Sequence, residues 1–129
     1  MIRGHRWIDY AYIAATIALT VYGQIVLKWR MDQVGPLRQG FGPALRQLIV
    51  LVFDPVIASS FIAAFLASLT WMAALSRFEL SLAYPFMSLS FVMVTVLSVW
   101  LLGESFTVYK AIGVTLIVAG TVLVSARAA

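Results

Sequence analysis

Four long apolar runs dominate this sequence and limit the folds open to it. They cover about residues 7–29, 55–76, 81–102 and 107–125, and each is close to the roughly 20 residues that a helix needs to cross a bilayer. Backbone groups inside hydrocarbon must be satisfied within the protein, and a helix satisfies them within one segment. We therefore predict an all-α integral membrane bundle of four transmembrane helices.

The overall composition agrees with a chain that lies almost entirely inside the membrane. Of its 129 residues 63% are hydrophobic and 11% are charged, whereas a soluble domain carries about half apolar and about a quarter charged residues. Residues 1–129 then form a single membrane domain. The basic start of the chain is similar to a signal peptide, but the run behind it has span length and no clear small-residue cleavage site, so we expect a retained first helix.

The connection between the first and second runs is the only loop of any length. Gly35 and Pro36 begin a stretch whose composition breaks helices. Pro43 suits the first position of a helix, and apolar residues recur at helical spacing over about residues 43–53. This pattern predicts a short interfacial helix along the membrane surface. One long bent helix from Ala44 is the alternative.

Short turns join the remaining spans. Asp54 and Pro55 are typical of a helix cap followed by a proline at the first helical position, and residues 77–80 form the next tight turn. We expect Pro85 in the first turn of the third span, where a missing donor costs little, and Gly103 at its end. Connections this short predict that each of the last three spans packs antiparallel to the one before it.

Basic residues are nearly balanced between the two sides of the membrane, so the orientation is weakly specified. An even number of spans places both termini on one side. Two interpretations stay open: both orientations occur in one membrane, or a partner or a dominant charge selects one. One side carries Arg3, Arg6, Arg77 and Arg127, and the other carries Arg30, Arg38, Arg46 and Lys110, with Lys28 near its edge.

The first helix carries a row of polar residues at strict four-residue spacing: Thr16, Thr20, Gln24 and Lys28. Residues four apart share a helix face. Lipid cannot satisfy such a face, so it should meet protein or a water-filled cavity. For Lys28, snorkelling of the ammonium group to the interface is the alternative.

A second polar face runs along the third span. Two polar faces in one small bundle predict a shared cavity, with Trp71 and Met72 of the second span as further lining. The alternative is that small hydroxyl residues only allow helices to approach closely. The members of this face are Tyr84, Ser88, Thr95 and Ser98, with Ser90 to one side.

The fourth span has two glycines on one face, Gly113 and Gly120, seven residues apart. Helices in lipid associate through close packing, and bare backbone permits it, so the pair predicts an association surface. A dimer is the expected way to close the cavity.

No constellation of catalytic or metal-binding residues is apparent. The chain has no cysteine and a single histidine, His5, outside the first span. Thiol chemistry, a serine–histidine triad and a histidine-based metal site therefore lack their residues. We predict neither an enzyme nor a bound cofactor. The net charge of +4 indicates headgroup contacts instead of a nucleic-acid partner.

Four motifs spread over nearly the whole chain carry a family resemblance. They are Gly23-Gln24 with Lys28 four residues after the glutamine, the stretch ALSRFELSLAYP from Ala74 to Pro85, Leu102-Gly103-Glu104, and Gly113 through Gly120. Together they resemble the drug/metabolite transporter superfamily, in its four-helix small multidrug resistance or EamA-like branch. Within it the chain looks most similar to subunits of the aminoarabinose-phosphoundecaprenol flippase.

The resemblance implies a multi-pass protein of the bacterial inner membrane that works as a homodimer or with a similar partner. For the flippase branch it implies movement of a polyprenyl-phosphate sugar. Small multidrug pumps have a proton-exchanging glutamate where this chain has Thr20, and a drug-stacking tryptophan where it has Met87. Without that acid, cation efflux by the pump mechanism is not expected.

The predicted function is a flippase for an anionic lipid-linked sugar. Its headgroup would cross through a groove between the first and third spans while the prenyl tail stays in lipid. Two alternatives are an exporter of small amphipathic metabolites or drugs, and a non-transporting scaffold subunit. The expected site consists of Lys28 and Arg30 for the phosphate, Gln24, Tyr84 and Ser88 for the sugar, and Thr20, Trp71 and Met87 in the lining.

Overall fold

The structure is a computed structural model, which describes residues 7–128 and the side chains of residues 7–126. That part of the chain is all-helical. The predictions for Arg3, His5, Arg6 and the side chain of Arg127 lie outside the described residues. The helices are α1 (Trp7–Val34), α2 (Phe41–Val52), α3 (Pro55–Leu75), α4 (Leu80–Met87), α5 (Leu89–Leu102) and α6 (Val108–Ala128).

The predicted number of membrane-length helices is confirmed. α1, α3, the pair α4 and α5 taken together, and α6 are each long and apolar enough to cross a membrane. The short helix α2 lies between the first and second of them, as expected. We call the end of the bundle that carries the loop 35–40 the loop side, and the end that carries the turn 76–79 the turn side.

α1 runs past its predicted end near residue 29 and stops at Val34. The extra turn is stabilised by an ion pair one helical turn apart, between Lys28 Nζ and Asp32 Oδ1 at 2.9 Å. Gly35 then ends the helix with a φ of 89°, and its N–H donates to the carbonyl oxygen of Met31 at 2.9 Å. Glycine adopts this left-handed conformation without steric cost.

α2 begins at Phe41, two residues ahead of the expected start at Pro43. Proline is tolerated there because the first four N–H groups of a helix have no partner inside it. Phe53 and Asp54 then interrupt the helical path. The alternative of one continuous bent helix from Ala44 is therefore wrong.

The predicted start of the second span is confirmed in detail. Asp54 Oδ1 accepts hydrogen bonds from the N–H groups of Val56 at 2.9 Å and Ile57 at 3.3 Å, and Pro55 stands at the first helical position. This cap satisfies backbone N–H groups of the first turn, which have no partner inside the helix.

The third span has membrane length over Leu80–Leu102, with a one-residue interruption at Ser88 that separates α4 from α5. Pro85 lies inside α4 and not in its first turn, and the helix breaks at Ser88 before α5 begins. A proline in a helix interior removes one backbone hydrogen bond and crowds the preceding turn. Here the hydroxyl of Thr121 on α6 is within hydrogen-bond distance of the carbonyl oxygens of Pro85 (3.0 Å) and of Ile117 in its own helix (2.9 Å), which places α6 against the interruption.

Packing is centred on α1, which contacts α3, α4 and α5. Within the described residues α3 does not contact α5, and α6 contacts α4 and α5 but not α1 or α3. The expectation that the second and third spans pack along each other therefore fails over α5. The tightest cluster lies toward the turn side and comprises Ile13, Ala74, Phe78, Leu82 and Ala83.

Candidate functional site

A groove opens where α3 and α5 fail to meet. α1 forms its floor, α3 forms one wall, and α4 with the start of α5 forms the other. Its volume is about 440 Å³. We call it the central groove, and its polar lining residues are Thr16, Thr20, Gln24, Ser60, Ser68, Trp71, Tyr84 and Ser90.

Some of these polar groups are already used in holding the bundle together. The Thr16 hydroxyl is within hydrogen-bond distance of the Tyr12 carbonyl oxygen (2.8 Å) and of the Thr70 hydroxyl (2.7 Å), and Thr16 is only 2% exposed. The Ser60 hydroxyl donates to its own helix at Ile57. Thr16 thus links α1 to α3 and closes the groove toward the turn side.

Other polar groups face the groove with hydrogen-bonding capacity to spare. Among the described residues, none provides a hydrogen bond to the side chain of Thr20 or Gln24. Thr20 is half-buried and Gln24 is exposed. A hydroxyl can donate once, and a primary amide offers two donors and an acceptor. These two side chains are therefore available to a polar guest.

An aromatic pair forms the end of the central groove near α4. The rings of Trp71 and Tyr84 meet edge to face, with centroids 5.7 Å apart and planes inclined by 66°. Met87 follows Tyr84 by one helical turn and also lines the groove. This region offers ring faces and one phenol hydroxyl to a guest.

Gly23 explains how the floor and the α3 wall come so close. A Cβ atom at this position would lie 3.2 Å from the carbonyl oxygen of Ser60. Any larger side chain would have to push α3 away from α1. The Gly-Gln pair of the sequence therefore combines a backbone contact, made by Gly23, with a side chain that faces the groove, Gln24.

A second hollow of about 590 Å³ lies on the other side of α5, between α1, α5 and α6. Gln24 lines both this loop-side hollow and the central groove. Lys28 is in the loop-side hollow, one turn beyond Gln24, and not in the groove itself. The other polar residues that line this hollow are Thr95, Ser98, Glu104, Tyr109 and Lys110.

The two ammonium groups of the loop-side hollow have only weak or neutral partners. The Lys28–Asp32 pair leaves both side chains about half exposed, at 52% and 48%, and exposed ion pairs contribute little to stability. Lys110 Nζ donates to the carbonyl oxygen of Ser105 at 2.7 Å. An anion entering this hollow therefore meets two cations whose present contacts are weak, and also the carboxylate of Glu104.

Arg30, which was expected at the phosphate, forms hydrogen bonds within the protein and lines neither cavity. Its guanidinium donates to Asp54 Oδ2 through Nε at 3.1 Å and Nη2 at 2.8 Å, and to Gln33 at 2.7 Å. The hydrogen bond from Arg30 is the main reason why the pKa of Asp54 lies below its usual value. Arg30 thus fixes the end of α1 to the start of α3.

The broken third span divides the polar face that was expected along it. Tyr84 lines the central groove, whereas Thr95 and Ser98 line the loop-side hollow. Ser88 lines neither cavity and stands between α4 and α5. Ser90, which the sequence pattern set to one side, lines the groove instead.

The two residues expected from the second span, Trp71 and Met72, lie on different sides of α3. Trp71 lines the central groove, but Met72 beside it is 66% exposed and points away. Sequence reasoning did not single out Ser60, Ser68 or Lys110 as lining residues. A serine that bonds its own backbone gives no periodic signal, and Lys110 follows Tyr109 at the start of α6 like an ordinary interfacial residue.

Comparison with known proteins now gives this architecture a family. The sequence pattern of the EamA-like transporter family matches residues 6–126, nearly the whole chain. The chain belongs to the EamA-like transporter family. The groove and the hollow described above are therefore features of a transporter-family protein.

Three curated relatives of this EamA-like protein carry the name probable 4-amino-4-deoxy-L-arabinose-phosphoundecaprenol flippase subunit ArnF. The relative from Pseudomonas fluorescens is 32% identical, over 93% of this chain and 89% of the relative. The relative from Serratia proteamaculans is 32% identical, over 92% and 93%. The relative from Erwinia tasmaniensis is 34% identical, over 88% and 91%. No solved structure matches the chain.

Proposed function

We propose that this chain is a subunit of a translocase for an anionic lipid-linked sugar of the polyprenyl-phosphate class, acting in the bacterial inner membrane. The names of its relatives support this substrate class. The observation that carries the proposal is the central groove, which brings uncommitted polar side chains of α1 to a gap between α3 and α5.

The groove suits a headgroup that crosses while its tail stays behind. α3 and α5 do not touch each other in the described part of the chain, so the gap between them faces the surrounding lipid. A prenyl chain can remain in the hydrocarbon while only the sugar and phosphate need polar surroundings. Thr20, Gln24 and the Tyr84 hydroxyl supply the sugar with hydrogen bonds along this path.

The phosphate binds at the loop-side hollow in this proposal. Lys28 lies one turn beyond Gln24, and Lys110 approaches from α6. A phosphate can replace the exposed Asp32 partner of Lys28 at little cost, because charge-assisted bonds to phosphate are stronger than an exposed ion pair. Gln24, which lines both cavities, connects the sugar position with the phosphate position.

The driving force is the gradient of the substrate or a coupling supplied by another component. The side chains that line the central groove are all neutral. They offer hydrogen bonds but no counter-charge for a cation. Thr20 stands where the resemblance places the proton-exchanging glutamate of the multidrug pumps, so the proposed movement of the headgroup needs no proton at that position.

The functional unit is proposed to be a dimer, with a second copy or a similar four-helix subunit. A Cβ atom at Gly113 or Gly120 would meet nothing within 4 Å, so this face of α6 is open. Gly113 also lines the loop-side hollow. A partner helix packed on α6 would therefore cover the hollow and shield a bound phosphate from lipid.

Lys28 gives the direct test of this function. In inverted membrane vesicles that contain the chain and a phosphoundecaprenol-linked amino sugar, an impermeant amine reagent reports how fast the headgroup becomes accessible. We expect Lys28→Ala to slow this movement about tenfold, since the phosphate loses a hydrogen bond to a charged group. Lys28→Arg is the control and should keep most of the rate.

Two results would count against the proposal. Unchanged movement in Lys28→Ala would remove the assigned phosphate contact. Vesicles with the wild-type chain that expose the headgroup no faster than vesicles without it would remove the function.

An exporter of small amphipathic compounds is the second candidate, and the edge-to-face pair of Trp71 and Tyr84 favours it. Aromatic faces bind apolar rings and organic cations. In that case Trp71→Ala would abolish efflux of such compounds, while Lys28→Ala would leave the efflux unchanged. The flippase proposal expects the reverse order of the two effects.

A further inference from the structure

The short helix α2 carries exposed apolar side chains along one face. Phe41, Leu45, Leu48 and Val52 follow one another at spacings of four, three and four residues, so they share that face. All four are exposed, Phe41 to 83%. At 3.6 residues per turn, Arg46 falls on the opposite side of the helix. This division of apolar and charged faces is typical of a helix lying in the membrane interface.

The charged face of α2 borders a hollow of about 750 Å³, which we call the α2 hollow. Arg46 enters it from the helix, and Arg38 enters it from the loop before the helix. The backbone N–H of Arg38 donates to the side-chain oxygen of Gln47 at 2.8 Å. This bond folds the loop back onto α2, and both arginines line the same hollow.

The charges of this hollow are not balanced by the protein. In the described part of the chain, no carboxylate forms an ion pair with Arg38 or Arg46. Lys28 and Arg30 near the loop side differ, since Lys28 pairs with Asp32 and Arg30 with Asp54. Two neighbouring arginines without an acidic partner attract an external anion.

We propose that the α2 hollow binds the phosphate of a membrane phospholipid with a net negative headgroup. With Phe41 and Leu48 among the acyl chains, Arg38 and Arg46 lie at the level of the lipid phosphates. Guanidinium groups bind phosphate through paired hydrogen bonds. The apolar floor of the hollow, formed by Val50 and Leu51, accommodates the start of the lipid tails. This inference needs only a membrane-embedded chain and holds whatever the central groove transports.

Lipid competition on the purified full-length protein tests the inference. The chain is extracted in detergent and exposed to equimolar phosphatidylglycerol and phosphatidylcholine, and native mass spectrometry counts each bound lipid. We expect the wild type to favour phosphatidylglycerol. The double variant Arg38→Gln and Arg46→Gln should lose about thirtyfold in that preference, since one basic residue at an anionic surface contributes about fivefold.

Three comparisons make the result decisive. The matched pair Arg38→Lys and Arg46→Lys keeps the charge and should keep most of the preference. Each single glutamine variant should lose about fivefold, which keeps the test usable if the double variant does not fold. An unchanged preference in the glutamine variants would overturn the inference. Displacement of bound phosphatidylglycerol by an equal amount of undecaprenyl phosphate would also overturn it, because the hollow would then belong to the transported lipid.

Discussion

At the turn side, α1, α3 and α4 meet around Ile13, Ala74 and Ala83, and the two alanines have no exposed surface. Nearer the loop side, the same helix α1 carries Thr20 and Gln24 into a groove of about 440 Å³. One bundle thus combines a region in which the helices are packed shut with a region in which they part.

The difference arises from which residues let helices approach and where a helix breaks. Alanines at the turn side let backbones come close, since little side-chain volume separates them. Past Pro85 the third span breaks at Ser88, and α5 then packs on α1 and α6 and leaves α3. The groove therefore lies where α3 and α5 are apart, next to the interruption at Ser88.

The largest expected effect is a difference in the stability lost on substitution between the closed turn-side cluster and the open central groove. Ile13 is 3% exposed and belongs to the turn-side cluster, so Ile13→Ala should lower the free energy of unfolding by about 2 kcal/mol through lost packing. Leu19 lines the open groove, and Leu19→Ala leaves no closed cavity behind. Leu19→Ala should lower the free energy of unfolding by less than about 1 kcal/mol. Thermal unfolding in detergent measures the stability of both variants. Equal losses of stability in Ile13→Ala and Leu19→Ala would contradict the difference between the two regions.

The smallest expected effect concerns pH and the link between α1 and α3 at the loop side. The hydrogen bond from Arg30 lowers the pKa of Asp54 in the folded chain. A carboxyl group with a lowered pKa stabilises the fold above its unfolded pKa, and that contribution disappears as the pH falls through the lowered value. The wild type should therefore unfold at a higher temperature than Asp54→Asn at pH 7. The difference between their unfolding temperatures should shrink below about pH 4.

A gap that stays constant from pH 7 to pH 3 would contradict the proposed link. The turn-side variant Ile13→Ala is the control, since packing of an apolar side chain does not titrate. Its deficit relative to wild type should be the same at both ends of the pH range.

Sequence reasoning succeeded where a structure depends on nearby residues. The cap formed by Asp54 ahead of Pro55 needs only the following turn, and the four long helices need only their apolar content. It failed where the outcome depends on residues far apart in sequence. The pairing of Arg30 with Asp54 joins two helices, and no local pattern on α1 distinguishes Arg30 from a residue available to phosphate.

The candidate site shows the same limit. Thr20, Gln24 and Tyr84 were expected in one cavity because of their helical spacing, and all three line the central groove. Ser88 lines neither cavity, whereas Ser90 lines the groove. Which side of the third span faces the groove depends on how that span packs against α1 and α6, and spacing along the sequence does not give this packing.

Water access to the groove is the most direct test of this account. The chain has no cysteine, so each introduced thiol is unique. Thr20→Cys and Gln24→Cys place a thiol in the groove, and Ile62→Cys places one on the outward face of α3. Ile62 lies at a similar depth in the bundle to Thr20 and Gln24, since Gly23 of α1 lies against Ser60 and Ala63 of α3. We predict that a membrane-impermeant maleimide labels the two groove variants and spares Ile62→Cys. Equal labelling of all three, or of none, would contradict an open polar groove.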